Sequence, residues 1–67
     1  MNDSELAQKI LELIGGEKNI DNVTHCVTRL RITIKDKSKI KNTQIQGLPC
    51  VLGTNMVGEQ YQIILGG

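Results

Sequence analysis

Apolar residues recur along this chain with two different periods, and the change of period divides it into elements. Leu6, Ile10, Leu13 and Ile14 follow helical spacing, with Lys9 and Glu12 facing away, so the chain opens with an amphipathic helix. Asn2, Asp3 and Ser4 are cap formers ahead of it, Glu5 suits the positive end of the helix dipole, and Gly15-Gly16 supplies a left-handed stop. Glu17-Lys18-Asn19 reads as a turn. Ile20, Val23 and Thr24, interrupted by the turn formers Asp21 and Asn22, predict a short first strand around Val23 to Cys26, with the cysteine at its end.

The second strand, Leu30 to Lys35, is the most regular. Leu30, Ile32 and Ile34 fall on one face and Arg29, Arg31, Thr33 and Lys35 on the other, the pattern of an antiparallel sheet with one covered and one wet side. Asp36-Lys37-Ser38-Lys39 is a charged connection. Asn42-Thr43 can cap a short second helix through Ile45 that stops at Gly47, and Pro49 prevents its continuation. Cys50-Val51-Leu52 reads as a third strand, Gly53 to Gly58 as a turn or bulged segment, and Gln60 to Leu65 as a fourth strand. The order α-β-β-α-β-β predicts a two-layer α+β domain with a four-stranded antiparallel sheet. No internal repeat or linker divides residues 1–67.

Composition narrows the function. A chain of 67 residues has room for one domain of modest stability. Its core must interlock Ile, Leu and Val, because there is no Trp or Phe and a single tyrosine, Tyr61. The missing aromatics argue against single-stranded nucleic-acid binding, and a net charge of +1 announces no polyanionic partner. The longest apolar run, Ile63-Ile64-Leu65, is far too short to insert in a membrane, and the first helix lacks a basic face. The Met-Asn-Asp-Ser-Glu start has neither the basic nor the apolar region of a secretory signal, so a cytoplasmic setting with reduced thiols is expected.

Within that frame the stretch His25-Cys26-Val27-Thr28-Arg29-Leu30-Arg31 holds the candidate chemistry. The thiolate is the reactive form of cysteine, and cations and oriented N–H groups lower its pKa. Arg29 and Arg31 project from one strand face, and a tight turn through Val27 and Thr28 can aim several amides at one point. The same donors would hold a phosphoryl group on Cys26, and the guanidinium fork suits phosphate oxygens; Thr28 adds a hydroxyl. A kinase using ATP directly needs an Asp-rich metal site, a Walker lysine or a Gly-rich nucleotide loop, which this sequence lacks, so neither a metal nor a cofactor is expected. The phosphoryl group should therefore come from one protein and leave to another acceptor.

The same residues admit other readings. Cysteine phosphatases separate Cys and Arg by a longer loop than the two or four residues found here. A non-catalytic binding module could use the basic sheet face of Arg29, Arg31 and Lys35, although alternating charge is most often a solvated face. Cys50, between Pro49 and Val51, reads as a packing residue, and two cysteines with one histidine do not complete a zinc site. His25 is adjacent to Cys26, but neighbours on a strand face opposite sides, so it reads as an exposed or packed residue rather than a base. Lys35, the Lys37-Lys39-Lys41 cluster, Gln60 and Gln62 all read as solvated.

Asn19-Ile20, Thr24 to Arg31, Lys35-Asp36, Leu48-Pro49, Val51, Gly53, Gln60-Tyr61-Gln62 and Gly66 resemble the IIB domain of the bacterial phosphoenolpyruvate-dependent sugar phosphotransferase system, glucose/sucrose/β-glucoside superfamily. The resemblance spans nearly the whole chain, and Cys-x-Thr-Arg-Leu-Arg is its specific motif. It implies that Cys26 accepts a phosphoryl group from a phosphohistidine of a IIA domain and passes it to a sugar held by the membrane IIC domain. Arg29 and Arg31 match the family's phosphate-handling arginines, and Thr28 matches a residue of the same loop. The Thr-His-Cys and Leu-Pro-x-Val patterns lean toward the sucrose, β-glucoside, trehalose or N-acetylmuramate branch.

The resemblance further implies a four-stranded antiparallel sheet with helices on one face and the fourth strand beside the second. It also implies a location at the inner face of the bacterial cell membrane as part of a permease. The family's third helix, which follows the Gln-x-Gln strand, is missing, so residues 1–67 are expected to be a IIB phosphocarrier domain cut at its C-terminus from a larger transporter. Cys50 and Glu59 stand where the family commonly has glycine, departures that bear on the third and fourth strands.

Overall fold

The helical period at the start and the twofold period after it each yield the expected element. In the computed structural model, which describes residues 3–66, α1 spans Asp3–Leu13, β1 Ile20–His25, β2 Arg29–Ile34, α2 Asn42–Gln46, β3 Val51–Val57 and β4 Gln60–Leu65, with single 3₁₀ turns at Glu17–Asn19 and Lys37–Lys39. The capping expected of Asn2 and of the Asp3 side chain lies outside the described residues. All neighbouring strands are antiparallel, in the order β1-β2-β4-β3, so β4 lies beside β2 in the middle of the sheet.

Register sorts the side chains into two layers. Leu30 pairs with Ile63 and Ile32 with Tyr61 on the side facing the helices, while Arg29–Ile64, Arg31–Gln62 and Thr33–Gln60 pair on the open side. Ile10, Leu13 and Ile14 of α1, Ile45 of α2, Ile32 and Ile34 of β2, and Tyr61 and Ile63 of β4 form one buried cluster. Branched aliphatics interlock there around the single aromatic ring, whose hydroxyl donates to Asn42 Oδ1 at 2.5 Å. Ile20 and Val23 of β1 line a shallow apolar groove with Ala7, Ile10 and Leu11 of α1.

α1 stops where the glycines require. Gly16 N–H donates to the Leu11 carbonyl at 2.9 Å and Gly15 N–H to that of Glu12 at 3.2 Å, with φ of 83° and 104°. This is a Schellman ending. A Cβ at Gly15 would also sit 2.9 Å from Lys39 Cβ, so glycine is needed there for space as well as for backbone angle. Buried Asn19 then ties three segments together: its Nδ2 donates to the carbonyls of Ile14 and Asp36, and its Oδ1 accepts from Asp36 N–H at 2.8 Å.

Four local expectations need correction. β1 begins at Ile20 rather than Val23, because an irregularity between Ile20 and Asn22 absorbs the turn-forming Asp21 within the ladder. Cys26 accordingly lies just beyond the strand. The segment Gly53–Val57 is strand, with Thr54 opposite Ile63 and Met56 opposite Tyr61; the turn shrinks to Gly58-Glu59, with Gly58 at φ 60°. Cys50 is not packed: it is exposed, outside β3, and holds φ 70°. Asn42 makes no side-chain cap for α2, whose N-cap is Lys41; its Oδ1 instead accepts from Tyr61 and, at 2.7 Å, from Thr54 Oγ1.

Candidate active site

The β1–β2 turn is built by two strands whose last paired residues are His25 and Leu30. Cys26 N–H donates to the Arg29 carbonyl at 2.9 Å, which closes the turn and leaves Val27 and Thr28 at its tip. Val27 is 98% exposed, so the tip stands in solvent. The other side of the turn is pinned by β4, where Leu65 N–H donates to the Thr28 carbonyl at 2.8 Å. A protruding loop is thereby fixed from both flanks.

That backbone geometry acts on the thiol. The Thr28 amide, directed at Cys26, does most to hold its pKa below the usual thiol value; the Arg29 amide and the charges of Arg31 and Arg29 add to it, against a smaller-than-combined desolvation that works the other way. Turn amides that stabilise a thiolate offer the same N–H groups to any anion bound there. Cys26 is free and exposed.

Of the residues singled out from sequence, Cys26, Thr28, Arg29 and Arg31 come together at this end of the sheet. Arg29 opens β2 and Arg31 follows on the same open face. His25 is exposed and sits opposite Leu30 on the helix side. Lys35 is exposed just beyond the other end of β2. The Cys50 turn is at the same sheet end as Cys26, since Gly66 N–H donates to the Cys50 carbonyl next to the Leu65–Thr28 bond. β2 and β4 stand between them, however, and three strand spacings amount to about 14 Å. Both thiols are free, and that separation is too long for a disulfide.

Gln62, expected on the solvated face of the last strand, is buried. Its Oε1 accepts from Arg29 Nη1 at 3.1 Å, its Nε2 donates to Gln60 Oε1 at 2.7 Å, and it is only 8% exposed. The signal was present: Gln60 and Gln62 share a face by twofold period, and placing the fourth strand beside the second puts that face next to the arginines.

The fold and the site together define an antiparallel α+β domain with an exposed cysteine of lowered pKa at its β1–β2 turn and two arginines on the adjoining strand. Known proteins make the assignment narrower. The family model described as "phosphotransferase system, EIIB" matches residues 8–40. The β-glucoside-specific EIIBCA component of Bacillus subtilis is 48% identical over 98% of this chain and 11% of its own length. The sucrose-specific EIIBC component of the same organism is 46% identical over 98% of this chain and 14% of its own. The crystal structure of one domain of a phosphotransferase-system IIabc component from Clostridium difficile superposes with a TM-score of 0.87 at 40% identity, over 94% of this chain and 65% of that one. This chain belongs to the EIIB family of the phosphotransferase system, glucose/sucrose/β-glucoside superfamily. It spans only about a tenth to a seventh of the curated relatives' length.

Proposed function

We propose that this chain is the phosphoryl carrier of a sugar-specific permease, with Cys26 as the residue that is phosphorylated. The Cys26 thiolate attacks the phosphorus of a phosphohistidine on a IIA domain; the S–P bond forms as the N–P bond breaks, and the imidazole leaves. A hydroxyl of a sugar held by a membrane IIC domain then attacks the phosphorus, the S–P bond breaks, and the hydroxyl proton passes to a base on the acceptor side. The thiolate is the better leaving group of the two, which favours transfer onward. In both steps the transition state spreads negative charge over the phosphoryl oxygens, so positioning and charge stabilisation by Arg29, Arg31, Thr28 and the turn amides supply the catalysis.

The observation that carries this reading is the pair of amides, Thr28 and Arg29, directed at an exposed thiol whose pKa they lower. The relatives' printed names support the partners, since they join B to C, or to C and A, in one chain. Sucrose and β-glucosides in those names indicate the sugar class. The same proposal places residues 1–67 as the IIB part of a longer permease at the cytoplasmic face of the membrane. The relatives' greater length supports that placement.

Intact-protein mass spectrometry tests it. After incubation with phosphoenolpyruvate, the general phosphotransferase proteins and a IIA domain, the chain should gain one phosphoryl group and Cys26→Ser none. No gain by the folded wild-type chain would overturn the carrier reading and return the open sheet face as a binding surface.

A further inference from the structure

A glutamine on the solvent side of a sheet should be hydrated, yet Gln62 is nearly buried beneath its neighbours' side chains. Its position explains how. Gln62 is directly opposite Arg31 in β2, and Arg29, whose own partner is Ile64, is its diagonal neighbour. Diagonal pairs lie about 7–8 Å apart at their backbones, a span that a long side chain bridges. Arg29 therefore lies along the open face instead of extending freely from the turn, and donates one N–H to Gln62. Gln60, two residues earlier on the same face, accepts from the Gln62 amide nitrogen and so turns the Gln62 oxygen toward Arg29.

We propose that Gln62 is a positioning residue for Arg29, and that Gln60 sets the orientation of the Gln62 carboxamide, so that a pre-ordered guanidinium faces the anion carried at the Cys26 turn. The inference deepens the carrier reading and rests on it. A guanidinium has five N–H donors, and Gln62 takes one, leaving four for phosphoryl oxygens. Holding a long side chain in one place before the anion arrives removes the entropy of ordering it in the transition state. The neutrality of glutamine matters as well: a carboxylate there would hold Arg29 as firmly but cancel its charge.

The test is a double-mutant cycle with a spectroscopic readout. Gln62→Met keeps the side-chain length and removes the acceptor; it should slow phosphoryl loading of Cys26 by about tenfold in the wild-type background and by less than about twofold in Arg29→Ala. A purely structural role for Gln62 would slow both backgrounds equally, and that result overturns the proposal. Backbone-independent support comes from Arg29 itself: its Nε–H should relax as an ordered group in the wild-type chain and as a mobile one in Gln62→Met. Equal order in both would also overturn it. Should Gln62→Met fail to fold, Gln60→Met is the substitute, with a loss of about threefold that likewise vanishes in Arg29→Ala. If the wild-type chain takes up no phosphoryl group at all, the carrier reading fails, and the relaxation measurement still decides whether Gln62 holds Arg29.

Discussion

Cys26 and Cys50 are the same residue type at the same end of one sheet, and the backbone around them makes them different. At Cys26 the turn delivers the Thr28 and Arg29 amides and the arginine charges to the thiol. Because these favour the charged form, the thiolate persists to lower pH than in an unfolded chain. Site-resolved alkylation by iodoacetamide should therefore show a Cys26 pH midpoint below that of the denatured protein, and Arg31→Met should move it upward. A midpoint unchanged by denaturation would remove the electrostatic account. At Cys50 the backbone adopts φ 70°, which costs a side-chain-bearing residue about 1–2 kcal/mol. Glycine adopts such an angle without that cost. Cys50→Gly is expected to stabilise the fold by about 0.5–1 kcal/mol despite the added freedom of the unfolded chain, read as a higher denaturation midpoint. A lower midpoint would mean that the Cys50 side chain contributes more than its backbone strain.

At the scale of elements, connections rather than strands decide the geometry. The α1 ending, the 3₁₀ turn before β1 and the turn after β2 converge on the Asn19 carboxamide, whose two donors and one acceptor are all used. Short-range patterning marks Asn19 only as a turn former, because its partners Ile14 and Asp36 come together only once β1 and β2 have paired. Asn19→Ala leaves buried groups of both segments unsatisfied and should cost about 3 kcal/mol. In a domain of this size that corresponds to a fall in thermal midpoint of roughly 10–20 °C, followed by circular dichroism. A loss of only a degree or two would show that water replaces the carboxamide. The same logic applies to Asn42, whose oxygen serves Tyr61 and Thr54 across the helix–sheet gap instead of capping α2.

For the whole molecule, the two-layer plan and the four candidate site residues were legible in the chain because their signals are local. Helical spacing from Leu6 to Ile14, twofold alternation from Leu30 to Lys35 and the paired glycines after α1 each need only neighbouring residues to act. Cys26, Thr28, Arg29 and Arg31 are within six residues of one another, so any tight hairpin brings them together. What resisted reading was whatever depends on a residue far along the chain. Gly53 to Val57 carries a glycine, a threonine and an asparagine that look like a turn, and becomes a strand because β4 supplies a ladder of partners. Asp21 is held in β1 by pairing with β2 on either side of it. Gln62 passes from a solvated position to a buried one because β4 lies next to β2, which lets an arginine 33 residues away reach it. The sequence by itself determined the order of elements, the side of each that faces the core and the location of the candidate thiol, since periodicity, capping and turn chemistry act over a few residues. Only the tertiary structure decided the register in which the strands meet, and with it the partners of Asn19, Asn42 and Arg29, because hydrogen bonds of a few ångströms between distant residues exist only after the strands are in register.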